Sequence, residues 1–404
     1  MNIKSLIRLS SILLIVALIA SCKDDDDSPQ PIQTNQLVTD TVSFERITSD
    51  TTLVNRGEGI DYIISKKVNI YRKLTIEPGV RIAFTNEGGL SMKVNRNTLD
   101  SGIIHAVGTP SDSIWFQGLN GAKWESIDIG TPSPLNKLHY CVVKDAAGTG
   151  AITTYGDGMF GDLELKYSSI RNNEDYGLYS FYLSSIEGFE KNTFHSNGGY
   201  PIHIGFSSLP HLDGQQSSYY NNGSGNDPKD MIYVSSDNLY DRHLVGGDFV
   251  IKNPGVPILV KDHVYLRDDA KLTVEAGNEM VFDNYEIRTD GANSSVSIEG
   301  TANNPVIFRS IDDYHHWGGF LITTDNSNNK IEHTKIIDGG DLALGDHNSG
   351  ASISLGSSSG RAQLTLNNVE IISSKGCGIS EFGPTTLDTS NVTFVNNNGS
   401  DYCD

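Results

Sequence analysis

The chain has 404 residues, 41 of them glycine, and a formal net charge of −20 at pH 7. This excess of carboxylates disfavours nucleic acid and other polyanions as ligands unless calcium bridges them, so we expect no nucleic-acid partner. Short apolar alternations separated by Gly, Asn and Asp dominate the chain, a pattern that predicts many short strands and excludes a mainly helical protein.

The N-terminus, MNIKSLIRLSSILLIVALIASC, places Lys4 and Arg8 before a short apolar run that ends at Cys22. The run is too short for a comfortable transmembrane helix and is typical of a secretory signal. The string IASC resembles the lipobox of bacterial lipoproteins. That resemblance implies removal of a signal peptide, residues 1–21, and attachment of lipid to Cys22, so that the membrane is a partner through this anchor. The alternative is an ordinary signal peptide followed by a stray cysteine.

Residues 22–45 begin with CKDDDDSPQPIQTNQ, in which four consecutive aspartates precede Pro, Gln, Ser and Asn. Such a composition forms no core, and the negative charge disfavours lying on an anionic membrane, so we predict a flexible acidic tether. Lys23, Asp24 and Asp25 also resemble the export signal of Bacteroidetes surface lipoproteins. The resemblance implies an outer-membrane lipoprotein that faces the cell exterior; the alternative is a generic linker.

A long internal repeat organises the rest of the chain. LTIEPGVRIAF at 74–84 recurs as LTVEAGNEMVF at 272–282, with five of eleven positions identical. Further matches follow in the same order, and they pair Trp124 with Trp317. We therefore predict one copy at 46–225, a junction at 226–255 and a second copy at 256–404.

Within each copy, apolar pulses recur about every 20 to 25 residues. This rhythm predicts a solenoid of parallel strands that stack one coil on the next, with Asn at the corners, where it tolerates the left-handed conformation. Gly79 and Gly277 should occupy corners between strands. The positions expected to point inward are Leu74, Ile76, Ile82 and Phe84, with Leu272, Val274, Met280 and Phe282 in the second copy.

The strings LTIEPGVRIAF, GIIHAVGTPSDSIWFQG (102–118), KWESIDI (123–129) and WGGF (317–320) resemble the right-handed parallel β-helix lipoproteins of Bacteroidetes. The resemblance implies an all-β fold, a right-handed parallel β-helix built from two tandem copies. It says little about function, because the same coil supports lyases, hydrolases, adhesins and binding modules.

An aromatic-rich segment of copy one, EDYGLYSFYLSSIEGFE, carries Tyr176, Tyr179, Phe181 and Tyr182 beside Asp and Asn. Flat apolar rings with hydrogen-bonding neighbours are what a sugar-binding groove requires. The alternative is ring stacking between coils. The counterpart in copy two has lost most of these rings, so copy one is the expected binder.

An acidic loop of copy two, DGGDLALGDHNSG, offers Asp338, Asp341 and Asp346 as calcium ligands. Calcium takes six to eight oxygens, which loops of Asp, Asn and Gly supply. The alternative is an irregular loop between coils. No other cofactor is expected.

Three cysteines remain once Cys22 carries lipid: Cys141, Cys377 and Cys403. Cys377 and Cys403 lie about one coil apart, which favours a disulfide in an oxidising compartment. Against this, alignment of SKGCGIS with NNGSDYC sets Cys403 over Ser380, three residues out of register with Cys377. That is about 10 Å along a strand, too far for a bond unless the chain bends.

The expected function is a cell-surface lipoprotein whose β-helix face binds a glycan or a partner protein without catalysis. The strings GHG and RIK of β-helix polygalacturonases and the zinc motif HExxH do not occur, and we assign no catalytic residue. The alternatives are a β-helix polysaccharide lyase or glycoside hydrolase, and a structural spacer or adhesin.

Overall fold

The computed structural model describes residues 41–42, 45–57, 59–95, 100–156, 159–180, 184–235, 243–312, 314–341, 350–357 and 360–403. The predictions for Cys22, Lys23, Asp24 and Asp25 fall outside these residues. The described chain is nearly all β, and its parallel sheets form a solenoid of about 13 turns. The predicted parallel β-helix is therefore confirmed.

The strands are short because each one spans a single face of a coil before the chain turns. In chain order they are β1 (Thr41–Val42), β2 (Arg46–Ile47), β3 (Thr51–Leu53), β4 (Tyr62–Ile64), β5 (Lys67–Ile70), β6 (Lys73–Ile76), β7 (Arg81–Phe84), β8 (Gly89–Met92), β9 (Ile103–Val107), β10 (Ile114–Gly118), β11 (Ile127–Ile129), β12 (Lys137–His139), β13 (Cys141–Lys144), β14 (Gly150–Thr153), β15 (Tyr155–Gly156), β16 (Met159–Phe160), β17 (Asp162–Lys166), β18 (Ser169–Arg171), β19 (Tyr176–Tyr179), β20 (Ser185–Ile186), β21 (Thr193–His195), β22 (Ile202–Ile204), β23 (Ser218–Tyr220), β24 (Gly223–Ser224), β25 (Asp227–Pro228) and β26 (Ile232–Val234).

The strands continue with β27 (His243–Val245), β28 (Asp248–Ile251), β29 (Ile258–Val260), β30 (Val264–Arg267), β31 (Lys271–Glu275), β32 (Glu279–Phe282), β33 (Glu286–Thr289), β34 (Ser295–Glu299), β35 (Val306–Ser310), β36 (Gly319–Ile322), β37 (Lys330–Ile337), β38 (Ile353–Gly356), β39 (Ala362–Ile372), β40 (Ile379–Phe382), β41 (Thr385–Val395) and β42 (Tyr402–Cys403). Short 3₁₀ helices lie at Leu119–Gly121, Phe206–His211 and Gly214–Gln216.

Three parallel sheets enclose the core of copy one. Sheet A contains β1, β4, β7, β10, β13, β18, β21 and β23, and sheet C contains β3, β6, β9, β12, β17 and β20. Sheet B starts with β2, β5, β8, β11, β14, β19, β22 and β26 and continues into copy two through β29, β32 and β35. Parallel stacking in register brings residues one coil apart to within about 4.8 Å of each other, so outward-facing side chains form rows along the solenoid surface.

Copy two adds two sheets that begin near the predicted junction. Sheet D contains β27, β30, β33, β36, β38, β40 and β42. Sheet E begins with β28, β31 and β34, and the long strands β37, β39 and β41 cross a corner to belong to both sheet E and sheet B. Left-handed residues mark that corner: His333, Asn368 and Asn391, with φ of 43°, 54° and 54°.

The inward positions predicted from the repeat are confirmed. All eight apolar side chains of the two repeated segments are 2% exposed or less. Gly79 and Gly277 have φ of +80° and +79°, a conformation that glycine adopts without strain. Asn172 and Asn396 are left-handed corner residues, as their sequence context predicted.

The two copies build the same packing unit around a tryptophan. Trp124 stacks on Phe84 at a ring distance of 4.2 Å, and Trp317 stacks on Phe282 at 4.8 Å. Each indole N–H donates to a carbonyl 20 residues later, Lys144 at 2.7 Å and Ile337 at 2.9 Å. Both rings are fully buried, so the indole nitrogen needs that acceptor.

The copies nevertheless occupy the sheets differently. Strand β7 lies in sheet A, but its repeat counterpart β32 pairs with β29 and β35 and thus continues sheet B. Strand β8 lies in sheet B, whereas its counterpart β33 lies in sheet D. The change occurs where 3₁₀ helices and the strands β27 and β28 follow the ends of sheets A and C. Equivalent surfaces of the two copies therefore belong to different sheets.

Candidate ligand-binding face

A ladder of outward-facing side chains runs along sheet B in copy one. Asp128, Thr153, Tyr179, His203 and Tyr233 occupy matching register positions on five successive strands. Because the strands are stacked in register, the three rings at the end of this ladder lie one above another along the solenoid axis.

Two further tyrosines complete an aromatic cluster, defined here as Tyr176, Tyr179, Tyr200, His203 and Tyr233. The His203 ring lies 4.7 Å from Tyr179 and 4.6 Å from Tyr233, each at nearly a right angle, and 5.2 Å from Tyr176. Tyr200 stands 4.9 Å from Tyr233. These separations suit edge-to-face and offset aromatic packing, which stiffens the cluster.

The polar atoms of the cluster, on His203 and Tyr200, have specific neighbours. His203 is buried, and its Nε2 lies 2.8 Å from the Ser235 hydroxyl. Burial raises the pKa of Tyr200, and the nearby Asp227 carboxylate adds to the shift. The phenol therefore keeps its proton at neutral pH and can donate a hydrogen bond. Lys229 sits over the Tyr200 ring at 5.5 Å.

A cleft of about 480 Å³ adjoins the cluster on the same sheet. Its walls include Lys67, Glu125, Asp128, Thr153 and Tyr179. Gly148 also lines the cleft, and a Cβ at that position would lie 2.8 Å from the Glu125 carbonyl oxygen. Tyr179 therefore belongs to both the cleft and the aromatic cluster and joins them into one surface.

The charges of the cleft form one network. Lys67 Nζ lies 2.7 Å from both Glu125 Oε2 and Asp128 Oδ2, and the Ser126 hydroxyl donates to Asp128 at 2.5 Å. Burial lowers the pKa of Lys67, but the Asp128 and Glu125 carboxylates outweigh it and the net shift is upward. The lysine stays charged and holds both carboxylates, which leaves a cleft with one net negative charge.

The structure brings two of the four predicted aromatic residues, Tyr176 and Tyr179, into this cluster; Phe181 and Tyr182 lie outside the described residues. Sequence reasoning missed Tyr200, His203 and Tyr233. Spacing gave only a partial signal, because Tyr179, His203 and Tyr233 follow one another at 24 and 30 residues, intervals near one coil but too unequal to give the register.

The structure does not bring the predicted calcium ligands together among the residues that it describes. Asp341 forms an ion pair with Lys375, Asp338 takes a left-handed turn conformation, and Asp346 lies outside the described residues. In the part of the chain that the structure describes, no three His, Cys, Asp or Glu side chains are grouped closely enough to hold a metal ion. The calcium site stays a prediction.

Cys377 and Cys403 are joined in the structure, with Sγ atoms 2.08 Å apart and Cα atoms 6.2 Å apart. Ser380 faces Cys403 in the strand register, the offset that the sequence alignment indicated. The distance closes because Cys377 precedes β40 in a bend between Gly376 and Gly378, not in an extended strand. Cys141 is a buried free cysteine, and burial raises the pKa of its thiol.

The string GSSSG at 356–360 fits the GxSxG pattern of hydrolases, whose serine needs a turn from a strand into a helix. Here Gly356 ends β38, and the next described element is the strand β39. Ser358 itself lies outside the described residues. The local fold therefore does not supply the context that this motif requires.

No helix among the described residues is long and apolar enough to cross a bilayer. No family model matches the chain, and no curated protein matches it. Among solved structures, the chain is similar to the surface protein and adhesin PfbA of Streptococcus pneumoniae, with 11% identity over 85% of this chain and 90% of that one, and a TM-score of 0.30. At that identity and TM-score, we base no argument on the likeness.

Proposed function

We propose that the chain is a non-catalytic surface lipoprotein that binds a glycan on sheet B of copy one. The observation that carries the proposal is the continuity of the aromatic cluster with the polar cleft through Tyr179. Sugars offer apolar C–H faces and hydroxyl edges, and this surface offers rings beside hydrogen-bonding groups.

The charge of the cleft favours a neutral glycan. Glu125 and Asp128 share a single lysine, so an incoming carboxylate or sulfate would meet net negative charge. Sugar hydroxyls, by contrast, can donate to the carboxylate oxygens and accept from the Tyr200 phenol. A partner protein is the other class of ligand considered for this surface.

The test is equilibrium binding to a panel of neutral polysaccharides, with Tyr179→Ala and Tyr233→Ala as variants. Loss of one stacking ring should weaken binding roughly tenfold, about 1.4 kcal/mol. Tyr140→Ala is the matched control, since its ring stacks on Tyr167 at 4.8 Å outside sheet B. Equal weakening by all three variants, or retention of no polysaccharide by the wild type, would refute the proposal.

The catalytic alternative rests on Glu125 and Asp128, which do place two carboxylates in one cleft. A β-helix lyase or glycosidase would release unsaturated products or reducing ends from a polysaccharide. We expect neither during incubation with the bound glycans. Product formation that disappears in Asp128→Asn would replace the binding proposal with the enzymatic one.

Anchoring at the outer surface is the cellular part of the proposal. It is supported by the lipobox-like string at Cys22 and the following Lys23, Asp24 and Asp25. Cys22→Ala should be released or remain unprocessed. A variant without Asp24–Asp27 should stay membrane-bound but become protected from protease on intact cells; if it remains accessible, the export-signal part is wrong.

A further inference from the structure

The binding surface on sheet B is longer along the solenoid axis than across it. Across the sheet, the strands β11, β14, β19, β22 and β26 have only three or four residues each, roughly 10–13 Å. Along the axis, the four steps from β11 to β26 give roughly 19 Å. The outward side chains on this line are called the axial row: Asp128, Thr153, Tyr179, His203 and Tyr233.

The polar cleft and the aromatic cluster are separated in this same direction. The cleft walls include Lys67 on β5, Asp128 on β11 and Thr153 on β14, whereas the rings of the cluster lie on or next to β19, β22 and β26. The two parts join at Tyr179. A single ligand that contacts both Asp128 and Tyr233 must therefore be an extended molecule that follows the solenoid axis.

The axial row is straight and has two defined ends. Its residues lie directly opposite each other at all four steps, without the offset that a bulge would introduce. The next positions of the row, Ser91 before Asp128 and Leu259 after Tyr233, are each 2% exposed and offer no surface to a ligand. Within the row, His203 is covered by the rings around it. The surface is thus a straight strip of fixed length.

The two ends of the axial row offer different contacts. At the cleft end, one oxygen of Asp128 lies 2.7 Å from Lys67 Nζ and the other accepts from the Ser126 hydroxyl at 2.5 Å. A carboxylate has about four lone-pair sites, so Asp128 can also accept from a ligand hydroxyl. At the ring end, Tyr179 and Tyr233 suit apolar C–H faces. A neutral sugar chain repeats both kinds of group along its length and can therefore satisfy both ends at once.

We propose that the ligand of this surface is a straight neutral sugar chain with β-1,4 links, bound along the solenoid axis. The inference rests on the proposed function and specifies its ligand. Links between equatorial positions keep successive β-1,4-linked sugars on one line, whereas α-1,4 links make a chain coil away from a straight row. A row of roughly 19 Å is longer than a trisaccharide and shorter than a hexasaccharide of this kind. Binding should therefore depend on both linkage and chain length.

The test measures equilibrium binding of the trisaccharides and hexasaccharides of the cello and manno series to the full chain by titration calorimetry. Maltohexaose is the matched ligand control, because it contains the same glucose units as cellohexaose and differs only in linkage. The variants are Asp128→Asn at the cleft end and Tyr233→Ala at the ring end. Asp290→Asn is the matched protein control, since its carboxylate also lies between two cations, 3.3 Å from Arg267 and 3.2 Å from Arg288 beside sheet D. A thermal melt checks the fold of each variant.

We expect cellohexaose or mannohexaose to bind at least roughly tenfold more tightly than its own trisaccharide and than maltohexaose. Tyr233→Ala should weaken binding of that hexasaccharide roughly tenfold, Asp128→Asn at least about threefold, and Asp290→Asn by less than about twofold. A trisaccharide reaches only one end of the axial row, so only one of the first two variants should weaken its binding. If Asp128→Asn melts early, Thr153→Val, which removes the next hydroxyl of the row, takes its place with a loss of about threefold.

Three results would overturn the inference. The first is equal affinity for the trisaccharide and the hexasaccharide of each series. The second is binding of maltohexaose as tight as that of the two straight hexasaccharides. The third is a loss in Asp128→Asn no greater than in Asp290→Asn, which would confine the ligand to the rings. None of these results removes the tyrosine-dependent binding of polysaccharides by which the proposed function is tested, so failure here and failure of the proposed function are distinguishable.

Discussion

The link between Cys377 and Cys403 has a local consequence for stability. It closes a loop over a sequence separation of 26 residues that contains β40, β41 and β42. For a loop of this length the chain-entropy model gives a stabilisation of about 3.5 kcal/mol at most, because the unfolded chain has more conformational entropy without the disulfide. In a solenoid each coil contacts only its neighbours, so the loss should stay in the last coil.

Cys403→Ser is the perturbation, and native-state hydrogen exchange by mass spectrometry is the assay. The outer side of β41 is largely exposed, so this coil depends on pairing with β39 and on the covalent link. A loss of about 2–3.5 kcal/mol predicts roughly 30- to 300-fold faster exchange in Thr385–Val395. Peptides from Ser295–Glu299, several coils away, should be unaffected.

Ser400→Ala, an exposed substitution next to the link, is the control and should exchange like the wild type. The reasoning fails if exchange in β41 is the same within about twofold with and without the link. It also fails if the whole solenoid loses protection together, because the loss would then not be confined to one coil.

Three further outcomes follow from the packing. Gly79→Ala and Gly277→Ala should each cost about 1–2 kcal/mol in chemical denaturation, because both glycines have positive φ and a Cβ would overlap an asparagine amide, while Gly225→Ala, in open space, should be neutral. Burial alone would raise the pKa of Glu164, but hydrogen bonds from two lysines lower it to about 2. The ionised carboxylate therefore stabilises the folded protein at neutral pH, and this contribution is lost as the pH falls from about 4.5 towards 2. Glu164→Gln should accordingly flatten that part of the curve of unfolding free energy against pH. Trp124→Ala should cost about 3–5 kcal/mol by thermal or denaturant unfolding, and a loss below 1 kcal/mol would contradict its place in the core.

Much of the coil could be read from the sequence because its determinants are local. Alternation of apolar residues decides which side chains of Leu74–Phe84 face inward, and identical or similar apolar residues at the same positions of the repeat carry that pattern to Leu272–Phe282. Glycine at the corners and the offset of Cys403 against Ser380 follow from the same short-range spacing.

The surfaces were decided by tertiary structure. Tyr179, His203 and Tyr233 meet because their strands stack in register. The spacing between such partners varies with the length of each corner, so the sequence does not tell which residue of one coil lies over which residue of the next. The transfer of β32 to sheet B has the same origin, since the hydrogen bonds between coils, and not the repeat within them, determine which sheet each strand joins.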